Sequence, residues 1–262
     1  MLELSKAQFG RVLSLFDPDQ PNSTIIFSTL EGRTLGKVYV DDIDQPRRCL
    51  LTCNVINFAF CGGAPDQLWL DQAVAELCQS QELYLSWPPP VADFLHPPGP
   101  ADAAIDIFEF YDRHSTPAPP LPNDHQLCAI DADLLTRCLW GRAMIQGFGS
   151  TDNFLRYGIG LCLMKNEEIC CEAYATFLGA GKFEIGAITH EQYRQHGYAY
   201  LTCQYLIQQC ETRGYPTYWS CYQTNVASVA TARKLGYRVQ KPCVYLHYRQ
   251  LIQSRVKPVM TE

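Results

Sequence analysis

The stretch KFEIGAITHEQYRQHGYA, residues 182–199, decides the fold because it reads as a buried strand, a turn and the start of a helix. Residues 182–190 form a near-continuous apolar run, which is typical of a central strand. A helix is predicted over 197–213, since apolar residues recur there at helical spacing and Gly214 follows as a stop signal. The turn between strand and helix is R-x-x-G-x-A.

This turn predicts an anion site. The first N–H groups of a helix have no intrahelical acceptor and carry partial positive charge, which suits a pyrophosphate. Gly197 would let a phosphate approach the backbone closely, and Ala199 would keep the first helical turn unobstructed. Arg194 can add a charge-assisted contact.

The flanking sequence continues the alternation of strands and helices. Residues 217–222 read as a strand, residues 226–235 as a helix with Asn225 as its N-cap, and the last strand falls within 239–248. Upstream, a strand is predicted over 126–131, a short helix over 133–140, and a hairpin from the runs 158–164 and 169–178. The second half is therefore predicted to be an α/β unit.

Two motifs at fixed spacing carry a family resemblance. R-x-x-G-x-A is followed by P-x-Y-W-x-C, then N-x-x-S and A-x-K-L-G-Y. Together they resemble the GNAT superfamily of N-acetyltransferases, whose acyl-CoA motif is Q/R-x-x-G-x-G/A, and the second string is similar to the zwittermicin A resistance type. The resemblance implies a mixed sheet that splays between the strands at 182–190 and 217–222. It also implies acetyl-CoA as co-substrate in that gap, and no metal.

The resemblance further implies where the cofactor arm would lie. The pantetheine would pair with the backbone near the end of the central strand, the pyrophosphate would sit on the turn, and the Asn helix would contact the arm. The cofactor-binding residues expected on this basis are Ile188, Thr189, His190, Arg194, Gln195, His196, Gly197, Tyr198, Ala199, Asn225 and Ser228.

Glu184 is the candidate general base. A primary amine with a pKa near ~10.4 must lose a proton before it attacks a thioester. Glu184 is the one carboxylate in the central strand, and related enzymes often place a Glu there. The sequence leaves open which strand face it occupies, and a salt bridge at the wet end of the strand is an equal alternative. His190 and His196 are weaker candidates.

The general acid departs from the family pattern. Many members carry a Tyr seven residues after the Asn, whereas this chain has Ala232. Tyr222 or Cys221, at the end of the neighbouring strand, could take that role, or the thiolate could leave into water. Ser228 is expected either to contact the cofactor or to serve only in the first turn of its helix.

Proline-rich segments suggest a division of the chain. The segments at 88–90, 97–100 and 116–122 cannot be helix or central strand. We expect an N-terminal α/β domain over 1–115, a linker over 116–124 and a GNAT domain over 125–262. The first domain is predicted to contain a hairpin of 23–29 with 37–40, an apolar β-rich run over 49–61, a helix over 66–80 and a strand over 83–87. It could be a degenerate copy of the second.

Composition excludes several classes of function. The chain has 262 residues, is 47% hydrophobic and carries a formal net charge of −6. It has no Lys/Arg cluster of the kind that binds nucleic acid and no apolar stretch of membrane-spanning length. Its 13 cysteines include no C-x-x-C pair, which favours buried thiols in a reducing compartment. We therefore expect a cytoplasmic protein without nucleic-acid or membrane partners, and a homodimer is left open.

Three functions are compatible with these residues. The leading one is an N-acyltransferase that moves an acetyl group from acetyl-CoA to a primary amine of a small molecule by direct attack in a ternary complex. The alternatives are a catalytically inactive acyl-CoA sensor or scaffold, and a protein or peptide N-acetyltransferase.

Overall fold

A computed structural model describes residues 1–54, 57–87 and 96–250. The proline run at 88–90 and the last part of the predicted second domain, 251–262, lie outside the described residues. The strands are β1 (Leu2–Glu3), β2 (Gly36–Val40), β3 (Arg48–Cys53), β4 (Phe58–Gly63), β5 (Leu83–Trp87), β6 (Ala103–Arg113), β7 (His125–Ala129), β8 (Ile159–Lys165), β9 (Glu168–Gly179), β10 (Lys182–Thr189), β11 (Thr217–Tyr222) and β12 (Tyr237–Tyr248). The α-helices are α1 (Ser23–Leu30), α2 (Gln67–Cys78), α3 (Ala132–Arg137), α4 (Gly141–Phe148), α5 (Thr151–Tyr157), α6 (Tyr198–Thr212) and α7 (Val226–Lys234), with 3-10 segments at Lys6–Leu15 and Glu191–Tyr193.

All the strands in the described residues form one mixed sheet. Its order is β1-β2-β3-β4-β5-β12-β6-β11-β10-β9-β8-β7. The described pairings are antiparallel except for β4 with β5 and β10 with β11, which are parallel. Read from one edge, the first half contributes its strands β1 to β5, then β12 intervenes, and β6 follows. Read from the other edge, the second half contributes β7 to β11, then β6 intervenes, and β12 follows. The two halves thus repeat one topology, and each half's last strand lies beside the other half's fifth strand.

This exchange bears on the expected domain organisation. Strand β6 precedes the predicted boundary, yet it pairs with β11 and β12 of the second half. The structure therefore does not show a separate N-terminal domain, because both halves share one sheet. The segment 116–124 is tied to α6, where Tyr205 Oη donates to the carbonyl of Pro119 over 3.0 Å. A domain boundary in that segment stays a prediction.

The prediction of a strand over 23–29 is wrong. These residues form α1, and every one of its side chains is buried. The run STIIFSTL is rich in β-branched residues, which favour strands, but it lacks the alternation that distinguishes a half-exposed strand from a helix buried on all sides. Burial against β9 and the 3-10 segment overrides the local preference. The apolar run over 49–61 resolves into the two strands β3 and β4, with residues 55 and 56 outside the described part.

The helices cover the two faces of the sheet around β10. Helices α6 and α7 pack on one face, where Phe183 and Ile185 enter their core. Helices α3, α4 and α5 form a second core with Tyr174 on the opposite face. Helix α1 shares that second face near β11, since Thr24 donates to Tyr218 Oη. In the described part of the chain, no helix is both long and apolar enough to cross a membrane.

Candidate active site

The sheet opens between β10 and β11. Their parallel pairing covers Phe183–Ile185 against Thr217–Trp219, and within the described residues it ends there. Strand β10 continues to Thr189 paired with β9 alone, while β11 continues to Tyr222 paired with β6. We call the gap between 186–189 and 220–222 the split. Its β10 edge has backbone groups without a strand partner, so an extended ligand could pair with it.

Exposure follows the same division along β10. Phe183, Glu184 and Ile185 are buried, whereas residues 186–190 are half-buried. The sequence-predicted residues Ile188, Thr189 and His190 therefore lie on the open part of the strand. The splaying expected from the sequence is present at the expected pair of strands.

The turn after β10 presents backbone N–H groups at the start of α6. Gly197 is the N-cap, with φ of 76°, and Gln195 also has a positive φ of 67°. The first intrahelical bond of α6 reaches from Leu201 N to the Gly197 carbonyl, so the preceding N–H groups have no intrahelical acceptor. A Cβ at Gly197 would meet nothing within 4 Å. This open, partly positive helix start can accept a diphosphate.

Side chains of the turn are arranged around this opening. Arg194, Gln195 and His196 are exposed, and Ala199 is half-buried. His196 Nδ1 lies 2.8 Å from the Arg194 carbonyl oxygen, and its ring stacks on Tyr198 at 5.4 Å. His196 is thus held at the turn, which agrees with a phosphate-side role better than with a role as base.

Glu184 lies at the narrow end of the split. It is 8% exposed and faces away from the α6 core, towards α1. Burial raises the pKa of Glu184 to about 7, opposed most by the hydrogen bond from Ser220. Ser220 Oγ donates to Glu184 Oε1, while Oε2 has no hydrogen-bond partner. A buried carboxyl with this proton affinity and one unoccupied oxygen can accept a proton at neutral pH.

Tyr222, the other predicted catalytic residue, lies at the wide end of the split. Its side chain is 51% exposed. By the alternation of β11 it shares the face of Ser220, and hence of Glu184. The structure therefore brings Glu184 and Tyr222 to the same face of the split, at opposite ends of it.

The predicted residues of α7 have structural partners. Asn225 Oδ1 accepts a hydrogen bond from Ser228 N over 3.1 Å and so caps the helix. Ser228 Oγ accepts from Trp219 Nε1 over 3.0 Å. Ala232 is fully buried between α7 and the sheet, where its small side chain suits close packing. The position of the usual family acid thus faces the core, away from the split.

Sequence reasoning missed a buried carboxylate beside the split. Glu172 of β9 is fully buried and lies opposite Ile188. It accepts hydrogen bonds from His190 Nε2 at 2.8 Å, Leu139 N at 2.6 Å, Trp140 N at 3.2 Å and Tyr174 Oη at 2.9 Å. Glu172 therefore joins the end of β10 to the start of α4. The sequence signal for this residue is that Glu172 is a single carboxylate within the otherwise apolar interior of β9.

Trp140 is a second residue that the sequence did not indicate. A Cβ at Gly186 would lie 3.2 Å from the Trp140 ring, so the absence of a side chain at Gly186 gives the indole its place over β10. Trp140 also stacks on Tyr174 with 6.0 Å between ring centroids. The indole forms a wall of the split on the Glu184 face.

Comparisons with known proteins agree with this geometry. Residues 14–246 match the model of a family described as GNAT acetyltransferase. An uncharacterized N-acetyltransferase of Bacillus subtilis (strain 168), YdfB, is 24% identical over 246 residues, which cover 90% of this chain and 94% of that protein. The match extends over both halves of the chain, well beyond the two motifs of the second half.

Solved structures support the fold. A GCN5-related N-acetyltransferase-like protein from Streptococcus suis 89/1591 has a TM-score of 0.68 and 25% identity, covering 92% of this chain and 99% of that one. A tandem GNAT protein from the clavulanic acid biosynthesis pathway has a TM-score of 0.58 and 10% identity, covering 93% and 96%. At that identity the second likeness concerns the fold alone. The finer resemblance to the zwittermicin A resistance type stays a prediction.

Proposed function

The chain belongs to the GNAT acetyltransferase family, and from this premise we propose that it transfers an acetyl group from acetyl-CoA to a primary amine of a small molecule. The observation that carries the proposal is the split between β10 and β11, with a polar helix start at its wide end and a buried carboxyl at its narrow end. Both features serve one extended, anionic, thioester-bearing ligand.

The cofactor would lie along the open edge of β10. Backbone groups at Ile188, Thr189 and His190 would pair with the amides of the pantetheine. The N–H groups from Gln195 to Ala199 would hold the pyrophosphate, with Arg194 exposed beside them. His196 and Tyr198 would shape this turn through their stacked rings. The free space at Gly197 supports the placement, because a phosphate needs that approach to the backbone.

The start of α7 would close the other side of the split. Asn225 keeps its amide nitrogen available while its oxygen caps the helix, so it could still donate to the cofactor arm. Ser228 is already engaged by Trp219, and it would contact the cofactor only through the remaining capacity of its hydroxyl. Its main contribution would be to hold α7 against β11.

Glu184 would act as the general base. It would take the proton from the ammonium group of the acceptor, directly or through one water, and so release the amine nitrogen to attack the acetyl carbonyl carbon. The carbon–sulfur bond then breaks, the nitrogen loses its second proton to water, and the amide forms. Burial raises the pKa of Glu184 to about 7, which suits a base that must bind and release a proton near neutral pH.

Tyr222 would supply the proton to the leaving thiolate. Ala232 cannot donate one, and its side chain is buried in the core beneath α6 and α7. Tyr222 lies on the face of Glu184, and its exposure would allow the hydroxyl to be reprotonated from water. Water itself is the alternative donor. Because the usual Tyr is absent, an inactive acyl-CoA sensor is the alternative function, and release of CoA distinguishes an acetyltransferase from such a sensor.

The test measures CoA release from acetyl-CoA with a panel of small amines and with a peptide bearing a free N-terminus. The wild type should release CoA only in the presence of a small amine. Glu184→Gln should keep its affinity for acetyl-CoA and lower kcat/KM by roughly 10²–10⁴-fold, the usual contribution of a positioned base. Glu191→Gln is the matched control, because Glu191 is an exposed carboxylate just beyond β10.

Three results would contradict the proposal in different ways. Binding of acetyl-CoA with no release of CoA in the presence of any amine would identify a sensor. Turnover restricted to the peptide would identify a peptide N-acetyltransferase. Near-normal turnover by Glu184→Gln would leave the activity in place and remove Glu184 from the mechanism.

A further inference from the structure

A second carboxylate is buried behind Glu184. Glu109 of β6 is fully buried. Its Oε1 accepts the backbone N–H of Asn22 over 2.8 Å, and its Oε2 accepts the hydroxyl of Tyr111. The residue comes from the first half of the chain, and neither the cofactor edge nor the turn uses it. Burying a carboxylate costs free energy, so the position of Glu109 needs a structural or functional explanation.

Three neighbouring strands place Glu109 on the same face of the sheet as Glu184, two residues further along the register. In the register of β6 and β11, Glu109 lies directly opposite Ser220. Ser220 in turn donates its hydroxyl to Glu184 of β10. Residues directly opposite in a sheet share a face, so both carboxylates and the serine lie on the α1 side. Glu109 is therefore the cross-strand neighbour of the residue whose hydroxyl donates to Glu184.

We propose that Glu109 is a positioning residue for Glu184, supplied by the first half of the chain, which acts through its negative charge and through the packing of Ser220. This inference rests on the proposed function, in which Glu184 takes a proton from the acceptor. Its consequence is that the first half of the chain tunes the chemistry of the second.

The bonding of the two carboxyls decides which one carries the charge. Glu109 has donors on both oxygens, and Lys241 lies over the neighbouring Tyr111 ring at 5.3 Å. Glu184 has a donor on Oε1 alone. Both groups are disfavoured as anions by burial, but Glu109 is the better stabilised. Its charge then opposes ionisation of Glu184, and the pKa of Glu184 is raised mainly by burial and further by Glu109.

Other polar groups face this pair from each element packed against it. Tyr111 and Tyr218 stack with 5.5 Å between ring centroids, and Thr24 donates to Tyr218. Tyr245 donates to Asn22 Oδ1 over 2.6 Å. The full set comprises Asn22 and Thr24 of α1, Tyr111 of β6, Thr176 of β9, Tyr218 and Ser220 of β11, and Lys241, Cys243 and Tyr245 of β12. Lys241 is the one cation among them, and it sits nearer Glu109 than Glu184 in the strand order.

The test replaces Glu109 by Gln and follows the acid limb of the kcat/KM profile against pH. Gln keeps the shape of the side chain and removes its charge. The limb should move to lower pH, and a displacement of about half a pH unit would raise kcat/KM near pH 5.5 about threefold. Affinity for acetyl-CoA should not change. Asp106→Asn is the matched control, because it removes an exposed carboxylate from the same strand.

A second measurement reads Glu184 without using activity. The gain in stability from Glu184→Gln at pH 8 is measured by urea unfolding in the wild type and in the Glu109→Gln background. The gain should be smaller in the second background, because Glu184 then ionises more readily in the folded state. This result separates the positioning role from the proposed function, since it holds whether or not Glu184 takes the acceptor's proton.

Equal gains in the two backgrounds would overturn the proposal, and so would an unmoved acid limb in a folded Glu109→Gln variant that binds acetyl-CoA. If Glu109→Gln does not fold, Tyr111→Phe takes its place. Removing the Tyr111 hydroxyl lets Glu109 bind a proton more readily, so both readouts should change in the same direction by a smaller amount. No change in Tyr111→Phe would then reject the role.

Discussion

Replacing Glu184 by Gln should change the stability of the protein in a way that depends on pH. The pKa of this carboxyl is raised from 4.5 to about 7 by burial. Between these two values the folded protein holds a proton that the unfolded chain has released. Raising the pH through this window therefore favours the unfolded chain, and the loss is complete above about pH 7.

The magnitude follows from the displacement of the pKa. Each unit corresponds to about 1.4 kcal/mol, so ionisable Glu184 should cost the folded state up to about 3 kcal/mol at pH 8 relative to pH 4.5. Gln cannot ionise and removes this dependence. Its amide could leave one buried donor unpaired, at a cost of about 1–3 kcal/mol that does not vary with pH. The prediction concerns the change with pH rather than the absolute difference.

The assay is urea unfolding followed by circular dichroism at several pH values from 5 to 8. The difference in unfolding free energy, Glu184→Gln minus wild type, should rise by about 2–3 kcal/mol across this range with an unchanged m value. Glu191→Gln, an exposed carboxylate near the end of β10, should show a flat difference. A flat difference for Glu184→Gln would refute both its buried, proton-holding state and its suitability as a base near neutral pH.

Three further substitutions test other contacts of the site. Glu172→Ala should lower the free energy of unfolding by about 3 kcal/mol or more in urea titrations, because it leaves four donors around a buried position without an acceptor; an unchanged midpoint would contradict this. Tyr222→Phe should lower kcat while stability stays within about 0.5 kcal/mol, since the side chain is half exposed, and an unchanged kcat would assign the proton of the thiolate to water. Ser220→Ala should move the acid limb of kcat/KM to higher pH, because it removes a hydrogen bond that keeps the pKa of Glu184 lower. A limb that stays or moves to lower pH would be inconsistent with that bond.

The second half of the chain was predictable because its signals are local. Gly214 and Gly236 adopt positive φ after α6 and α7, and Asn225 caps α7. Each of these acts within a few residues of the element it ends or begins. The same holds for β10, whose apolar run and following turn are read from one continuous stretch.

The parts that escaped prediction depend on residues far apart in sequence. Strand β6 lies between β11 and β12, more than 100 residues away, and no local pattern specifies such a pairing. The β-branched residues of α1 predict a strand, whereas its burial on all sides, which makes it a helix, is decided by β9 and the 3-10 segment. Glu109 and Glu172 are recognisable as parts of the site only after the sheet brings them beside Glu184 and His190.

The placement of acetyl-CoA on the turn before α6 is tested most directly by calorimetry on two matched glycine variants. Gly197 and Gly214 flank α6, both have positive φ, and a Cβ at either would meet nothing within 4 Å. Glu at either position therefore adds the same strain and the same charge. Gly197→Glu should weaken acetyl-CoA binding by about 100-fold or more, whereas Gly214→Glu should bind as the wild type does, both with unchanged circular dichroism. Equal affinities in the two folded variants would contradict the placement of the pyrophosphate at Gln195–Ala199.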